Sequence, residues 1–237
     1  MTLSTSRLDR FISTQCQISR RDVRLMLAQK RILVDGVIAN NIDHIIDKFS
    51  HISLDNQVLQ ANQASYVMLH KPVGVVSATK DAQHKTVLDI LDLPGHVDKT
   101  DLHLVGRLDL NTSGLVLLTN DSRWSEGLTS PEKKVEKLYR VTLQNKLNAD
   151  YIEAFNQGMY FAYEKITTRP AKLEIISDHV AMVSLVEGRY HQIKRMFGRF
   201  QNPVVALHRV AIGSLILTAQ LKVGESRLLT PQEVAGI

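Results

Sequence analysis

From residue 66 to residue 217 the chain is a succession of short apolar runs separated by polar turns, and this pattern limits the fold more than any other feature. Runs of this length, bounded by Gly, Pro, Asn or Asp, are typical of β-strands. The predicted strands are 66–69, 73–77, 102–105, 115–118, 137–143, 171–176, 180–186 and parts of 204–217. Helices are predicted near 148–157 and 190–200, with a helical turn at Pro231. Many strands with few helices favour an α+β domain with a largely antiparallel sheet.

The first 60 residues have a different pattern, two short helices followed by hairpins. Apolar residues recur at helical spacing over 6–14, and Ser19 followed by Asp22 is a capping-box signal for a helix over about 20–30, with Val23, Leu27 and Lys30 on one side. Asp-Gly at 35–36 and Asp-Asn at 55–56 each predict a tight turn between strands. We therefore predict a small α/β module at 1–60, a polar linker at 61–65 and a second domain at 66–237.

The net charge of +5 is concentrated near the N-terminus. Residues 1–34 contain seven basic and two acidic residues, whereas the rest of the chain contains 22 of each. The seven are Arg7, Arg10, Arg20, Arg21, Arg24, Lys30 and Arg31. A basic module on a neutral body is expected when one part of a protein binds a polyanion, although a solvated helix face gives the same count.

Several classes of function are disfavoured by what the sequence lacks. Cys16 is the only cysteine, which excludes an internal disulfide and a cysteine-rich zinc site, and none of the nine histidines has a metal-ligand spacing. Neither a dinucleotide-binding nor a phosphate-binding glycine loop is present. Without an apolar run of 18 residues or a signal core, we expect a cytoplasmic protein that binds no metal and no membrane.

The segment RLDRFISTQCQISRRDVRLMLAQKRILVDGVIANN, at 7–41, resembles the S4-type RNA-binding domain, the helix-and-hairpin module of ribosomal protein S4 and of several RNA-modifying enzymes. The resemblance covers residues 1–60. It implies that the two helices present basic side chains to the phosphates of folded RNA, in agreement with the charge count.

The segment GRLDLNTSGLVLLTND, at 106–121, places Asp109 in a loop bounded by Gly106 and Gly114. Such loops hold reactive groups on rigid scaffolds, although an Asp between glycines is more often a turn former. The segment resembles motif II of the pseudouridine synthases, in the branch typified by the ribosomal small-subunit pseudouridine synthase A family. Two further motifs of that family follow in order, KLYRV at 137–141 and EGRYHQIKRMF at 187–197.

This resemblance implies an enzyme that isomerises one uridine of ribosomal RNA, 16S rather than 23S, to pseudouridine, with Asp109 as the catalytic carboxylate. It places the aromatic residue of the site at Tyr139 and the cation beside the aspartate at Lys194, where many relatives outside the branch have Arg. Leu207 matches the apolar packing residue of the pocket. The remaining residues of this domain that we expect to bind RNA are Arg107, Arg189 and Arg195.

The chemistry of the isomerisation explains these residue types. Uracil must leave C1′ of its ribose, turn within a walled pocket and rejoin through C5. Asp109 can attack C1′ as a nucleophile or take a proton from C2′ as a base. Lys194 would keep that carboxylate ionised, and Tyr139 offers a flat face and a hydroxyl. A uridine in folded RNA must first be extruded, and Arg107 is a candidate to fill the vacated position. Every atom is conserved, so no cofactor is expected.

Two other classes of protein share parts of this pattern. A non-catalytic ribosome assembly factor can keep the fold, but the intact Asp109, Tyr139 and Lys194 argue against it. An RNA methyltransferase can carry an S4-like domain, but the glycine-rich loop for its cofactor is absent. We expect a monomer whose partner is structured RNA, either 16S ribosomal RNA or a small-subunit assembly intermediate, and not DNA.

Overall fold

The computed structural model describes residues 5–237, which form two compact units. The first unit contains the chain up to Ala64 together with Asp121–Arg123, and the second contains Ser65–Asn120 and Trp124–Ile237. The division after Ala64 falls within the segment predicted as a linker. The predicted module begins at residue 1, and residues 1–4 lie outside the described residues. Over the range 5–237, no helix combines the length and the apolar character needed to cross a bilayer.

In the first unit two helices pack against a four-stranded antiparallel sheet of order β3-β2-β5-β6, and β1 pairs with β4. The elements are β1 (Ser6–Arg7), α1 (Leu8–Cys16), α2 (Arg20–Ala28), β2 (Ile32–Val34), β3 (Val37–Ile38), β4 (Ile45–Ile46), β5 (Ile52–Leu54) and β6 (Gln57–Gln60). Its buried core draws on both helices and on the strands: Leu8, Ile12, Val23, Leu27, Ile32, Val34, Ala39, Ile46 and Ile52.

The capping box and the two tight turns predicted for this unit are present at the predicted residues. Ser19 Oγ accepts a hydrogen bond from the Asp22 amide, and the Asp22 carboxylate accepts one from the Ser19 amide, so the predicted capping box starts α2. The predicted turns at 35–36 and 55–56 join β2 to β3 and β5 to β6, with positive φ at all four positions. The prediction that Lys30 shares a helix face with the core residues is wrong, because α2 ends at Ala28 and Lys30 adopts the left-handed conformation (φ 58°).

The second unit is built around a nine-stranded sheet of order β13-β14-β10-β15-β9-β7-β17, with β8 on β9 and β16 on β15. Its strands are β7 (Tyr66–Lys71), β8 (His103–Val105), β9 (Ser113–Thr119), β10 (Lys137–Leu143), a separate hairpin of β11 (Tyr160–Phe161) and β12 (Ile166–Thr167), then β13 (Lys172–Ser177), β14 (Val180–Leu185), β15 (Val204–Ile212), β16 (Leu215–Ile216) and β17 (Ser226–Leu228). The helices are α3 (Ser122–Thr129), α4 (Asp150–Gln157), α5 (Gln192–Gly198) and α6 (Pro231–Ala235), with a 3-10 helix at Lys99–Asp101.

The sheet is antiparallel except between β9 and β15, which confirms the predicted α+β class with a largely antiparallel sheet. Side chains of β9 alternate between two apolar clusters, Leu115 and Leu117 on one face and Val116 and Leu118 on the other. Both faces of the sheet are therefore covered, and β9 is central. The loop that carries Asp109 leads directly into this strand.

Gly114 permits the close approach of β9 to β15. It pairs with Arg209, its φ is +113°, and a Cβ atom there would overlap the Arg209 backbone. Glycine is therefore required on both conformational and steric grounds.

One strand predicted for this unit is absent. Residues 73–77 do not form a strand, because their backbone bonds to loops instead of a sheet ladder: the Gly74 amide donates to Leu110 O, and Val76 bridges to Thr86. The helix predicted near 190–200 is present as α5, and it begins at Gln192 because His191 before it is left-handed (φ 48°). Helix α3 was not predicted.

Candidate active site

Asp109 lies in the loop between β8 and β9 and lines a cavity of about 690 Å³. The backbone of this loop is bound to the irregular segment before it. Ser77 Oγ donates to Leu108 O (2.7 Å) and accepts from the Leu108 amide (3.0 Å), and the Thr112 amide donates to Asp109 O (3.0 Å). The Asp109 side chain is 33% exposed. Its carboxylate is thus held by a rigid backbone yet remains accessible to a ligand.

Helix α5 brings two basic side chains to this carboxylate. Lys194 Nζ lies 3.2 Å from Asp109 Oδ2, and His191 Nε2 lies 3.3 Å from the same oxygen. Lys194 lies in the first turn of α5 and His191 immediately precedes that helix, so both approach the carboxylate from the helix start. The Lys194 contact has the geometry expected from the sequence. His191 was not identified, although it precedes Lys194 in the same motif and one helical turn would have brought it to the same face.

Tyr139 and Arg209 form a buried part of the cavity wall. They face each other across β10 and β15, and their side chains are 8% and 2% exposed. Arg209 Nε donates to Leu115 O (2.7 Å), and its Nη1 lies 3.5 Å from Tyr139 Oη. Arg209 Nη2 is buried and makes no hydrogen bond to any residue of 5–237. Arg209 therefore supports the wall from behind Tyr139 and β9. It lies outside the three motifs and was not predicted.

Lys71, the last residue of β7, is fully buried beneath the Asp109 loop. Its Nζ donates to Thr112 O (2.8 Å) and Pro72 O (2.9 Å) and lies 3.5 Å from Leu110 O. The pKa of Lys71 is lowered to about 8, because burial and the charge of Arg209 lower it by more than the charge of Asp109 raises it. The ammonium therefore ties together the backbone on the C-terminal side of Asp109. Lys71 lies outside the strands and motifs predicted from the sequence.

The other predicted pocket residues have distinct positions. Leu207 is buried and lines a smaller cavity together with Asp109, Tyr139 and Lys194. Arg107 is exposed and lines both cavities. Arg189 also lines both, is exposed, and lies 3.3 Å from the Glu187 carboxylate.

Arg195 does not contact Asp109. Its guanidinium binds both carboxylate oxygens of Glu164, at 2.5 and 2.6 Å, and lies 3.7 Å from the centre of the Phe161 ring. The hydrogen bonds from Arg195 lower the pKa of Glu164. Consecutive residues of α5 therefore serve different partners, with Lys194 at the carboxylate and Arg195 at the β11–β12 hairpin.

The seven basic residues of 1–34 fall into two groups. Arg7 pairs with Asp9 (2.9 Å) and Asp43 (2.6 Å), and Arg31 pairs with Asp55 (2.5 Å). Five others have exposed side chains: Arg10, Arg20, Arg21, Arg24 and Lys30.

Comparison with known proteins gives a consistent assignment. Residues 65–198 match the family described as RNA pseudouridylate synthase. The chain is 45% identical to the ribosomal small subunit pseudouridine synthase A of Pseudomonas aeruginosa, over 98% of this chain and 100% of that protein. It is 42% identical to the protein of the same name from Escherichia coli K12, over 98% and 99%. A crystal structure of a pseudouridylate synthase superposes with a TM-score of 0.69 at 38% identity, covering 97% of this chain and 98% of that one.

Proposed function

The chain belongs to the RNA pseudouridylate synthase family, and we propose that its substrate is one uridine of 16S ribosomal RNA. The observation that carries the proposal is the arrangement at Asp109, an accessible carboxylate with Lys194 and His191 at one oxygen and Tyr139 in the wall of the same cavity. The names of the bacterial relatives, which refer to the small ribosomal subunit, support the choice of RNA.

The cavity suits an extruded nucleotide. A volume of about 690 Å³ is in the range of small-molecule sites, and a uridine in folded RNA has to leave its stack to reach a carboxylate. Arg107, exposed at the same cavity, is our candidate to occupy the position that the uridine leaves. Tyr139 provides an aromatic part of the cavity wall.

In the proposed reaction the N1–C1′ bond breaks, the detached uracil turns, a C5–C1′ bond forms, and the proton of C5 is transferred so that N1 ends protonated. Asp109 acts either by attack at C1′ or by proton removal from C2′, and both routes use the ionised carboxylate. Lys194 Nζ forms an ion pair with this carboxylate at 3.2 Å. A primary isotope effect on C2′-deuterated uridine distinguishes the second route from the first.

The exposed basic residues of the first unit supply affinity in this proposal, in the manner of an S4-type domain. Arg20, Arg21, Arg24 and Lys30 are free to reach phosphates, whereas the guanidinium groups of Arg7 and Arg31 are already paired with carboxylates. We further propose that the protein acts as a monomer in the cytoplasm, where the small ribosomal subunit named in its bacterial relatives is found.

The direct test is incubation of the purified protein with unmodified 16S and 23S ribosomal RNA, followed by mapping of pseudouridine at single-nucleotide resolution. We expect one modified uridine in the 16S RNA. Asp109→Asn serves as the inactive control. Modification of 23S RNA alone would contradict the choice of RNA, and the absence of pseudouridine in both RNAs would contradict the activity.

A further inference from the structure

Tyr190 presents an aromatic ring to solvent at the cavity that contains Asp109. The residue is 75% exposed and lines the cavity. One face of its ring stacks on the imidazole of His191, with centroids 3.9 Å apart and planes at 20°. Since one face is covered and the residue is still largely exposed, the opposite face is open.

The backbone around this stack is held in place on both sides. His191 has a left-handed backbone conformation (φ 48°), which is unusual for a residue other than glycine and is found preferentially at functional sites. Its Nε2 contacts the Asp109 carboxylate at 3.3 Å, and Arg195 Nη1 donates to Tyr190 O (3.4 Å). The stacked pair therefore has a defined position relative to the carboxylate.

The residues just before the stack are also ordered by hydrogen bonds. Gln192 Nε2 donates to the Glu187 carboxylate (2.9 Å), and Gln192 Oε1 accepts from the Arg189 amide (3.2 Å). These hydrogen bonds join the two ends of the loop from 187 to 192. Binding of a ligand on Tyr190 therefore does not require the loop to become ordered.

We propose that Tyr190 is a stacking platform for an unpaired nucleobase adjacent in sequence to the target uridine. This inference rests on the proposed function. The target uracil itself must lie deeper, with its ribose at Asp109 and its ring near Tyr139, so the exposed ring of Tyr190 is left for a neighbour. Extrusion of the uridine removes a stacking partner from that neighbour, and an open aromatic face replaces it.

Such a platform recognises the unstacked conformation of the RNA and tolerates any base, because every base has a π-face. Arg107 and Arg189, exposed along the same cavity, supply positive charge for the flanking phosphates. The specificity that follows is for an unpaired segment and not for a base sequence.

The first test compares three variants in steady-state pseudouridine formation on the mapped RNA. Tyr190→Ala should lower kcat/KM by about 5- to 100-fold, mainly through KM, because a base-stacking contact is lost. Tyr190→Phe keeps the ring and should stay within about two-fold of wild type. Tyr163→Ala is the matched control, a tyrosine of the same unit that is 94% exposed and does not line the cavity. Equal kcat/KM for wild type and Tyr190→Ala overturns the proposal.

The second test removes the proposed partner of the ring. Substrates with an abasic nucleotide on the 5′ or the 3′ side of the target uridine are assayed with wild type and Tyr190→Ala. One of the two abasic substrates should lower the kcat/KM of wild type by about the same factor as the Tyr190→Ala substitution does. The same substrate should not lower the kcat/KM of Tyr190→Ala any further. If the two effects multiply instead, the ring and the base do not interact and the proposal is wrong.

If the proposed function is wrong, the wild-type protein forms no pseudouridine, and this outcome differs from failure of the stacking inference. The inference is then tested by direct binding. Tyr190→Ala, but not Tyr163→Ala, should weaken the affinity for a short single-stranded RNA. Equal affinities of the two variants overturn it.

Discussion

The basic surface of the first unit and the cavity of the second use charged residues in opposite ways. In the first unit Arg20, Arg21 and Arg24 lie within one short helix and are exposed. In the second unit Asp109, Lys194 and the buried Arg209 come from separate segments of the chain, and Asp109 lines both the larger cavity with Arg209 and the smaller one with Lys194.

The difference fits the functions that we propose for the two surfaces. Binding of a phosphate backbone needs positive charge in water, which a single amphipathic helix can present. Proton transfer or nucleophilic attack needs a few groups at fixed positions in a partly dry pocket, which requires a folded scaffold. Changes at the cavity should therefore affect turnover, whereas changes at the helix should affect affinity and its salt dependence.

The largest effect is expected for Asp109→Asn, which keeps the shape of the side chain and removes the reactive carboxylate. Pseudouridine formation should fall by at least about 10³-fold while RNA affinity changes no more than a few-fold. Single-turnover assays and filter binding measure the two quantities. Asp101→Asn, at an exposed position of the same unit, should retain activity. Turnover close to wild type in Asp109→Asn would refute the catalytic role.

Lys194→Met should come next, with a loss of about 10²- to 10³-fold in kcat, because an ion pair with the carboxylate is broken. Lys194→Arg should keep much of the activity, since it restores a cation. Arg195→Met is the neighbouring control, because its guanidinium binds Glu164 instead of Asp109. A larger loss of kcat in Arg195→Met than in Lys194→Met would show that Arg195, and not Lys194, is the essential cation.

Lys71 should make folding stability depend on pH. Its pKa in the folded state is about 8, below the ordinary 10.5, so folding favours the neutral amine. Below pH 8 the group is charged in both states and the folded state bears the full penalty, which disappears as the pH rises from 8 to 10.5. Relative to Lys71→Met, the wild-type free energy of unfolding should gain roughly 3 kcal/mol over this interval. Urea denaturation of both proteins at pH 7 and pH 10 measures it, and a constant difference would contradict the assignment.

The smallest effect concerns the basic helix. Replacing Arg20, Arg21, Arg24 and Lys30 together by Ala should reduce the log-log salt slope of RNA binding by roughly 2 to 3 units, if three or four of them contact phosphates. Arg7 and Arg31 are the matched controls, because carboxylates already pair with them. Replacing both should change the slope by less than about one unit. Equal slopes for the four-residue variant and wild type would show that this surface does not bind the backbone.

Most of the fold was accessible from sequence because its signals are local. Alternation of apolar residues predicted the strand 137–143 at its observed bounds, and the Ser19–Asp22 pair predicted the start of α2. The strand predicted over 73–77 failed for a non-local reason, since the backbone of that segment is bound to the loop around Asp109. A run of apolar residues does not by itself determine which partners its backbone amides and carbonyls bind.

Some features of the candidate site were likewise predictable from local sequence, and others were not. By itself the sequence determined that a carboxylate lies in a glycine-bounded loop, that a basic helix follows in a third motif, and that the N-terminal helices carry the excess charge. Only the tertiary structure decided that His191 joins Lys194 at Asp109, that Arg195 binds Glu164, and that buried Lys71 and Arg209 lie behind the cavity. These choices depend on which side of each element is packed against the sheet, and contacts between residues 31 to 94 positions apart leave no periodic signal in the chain.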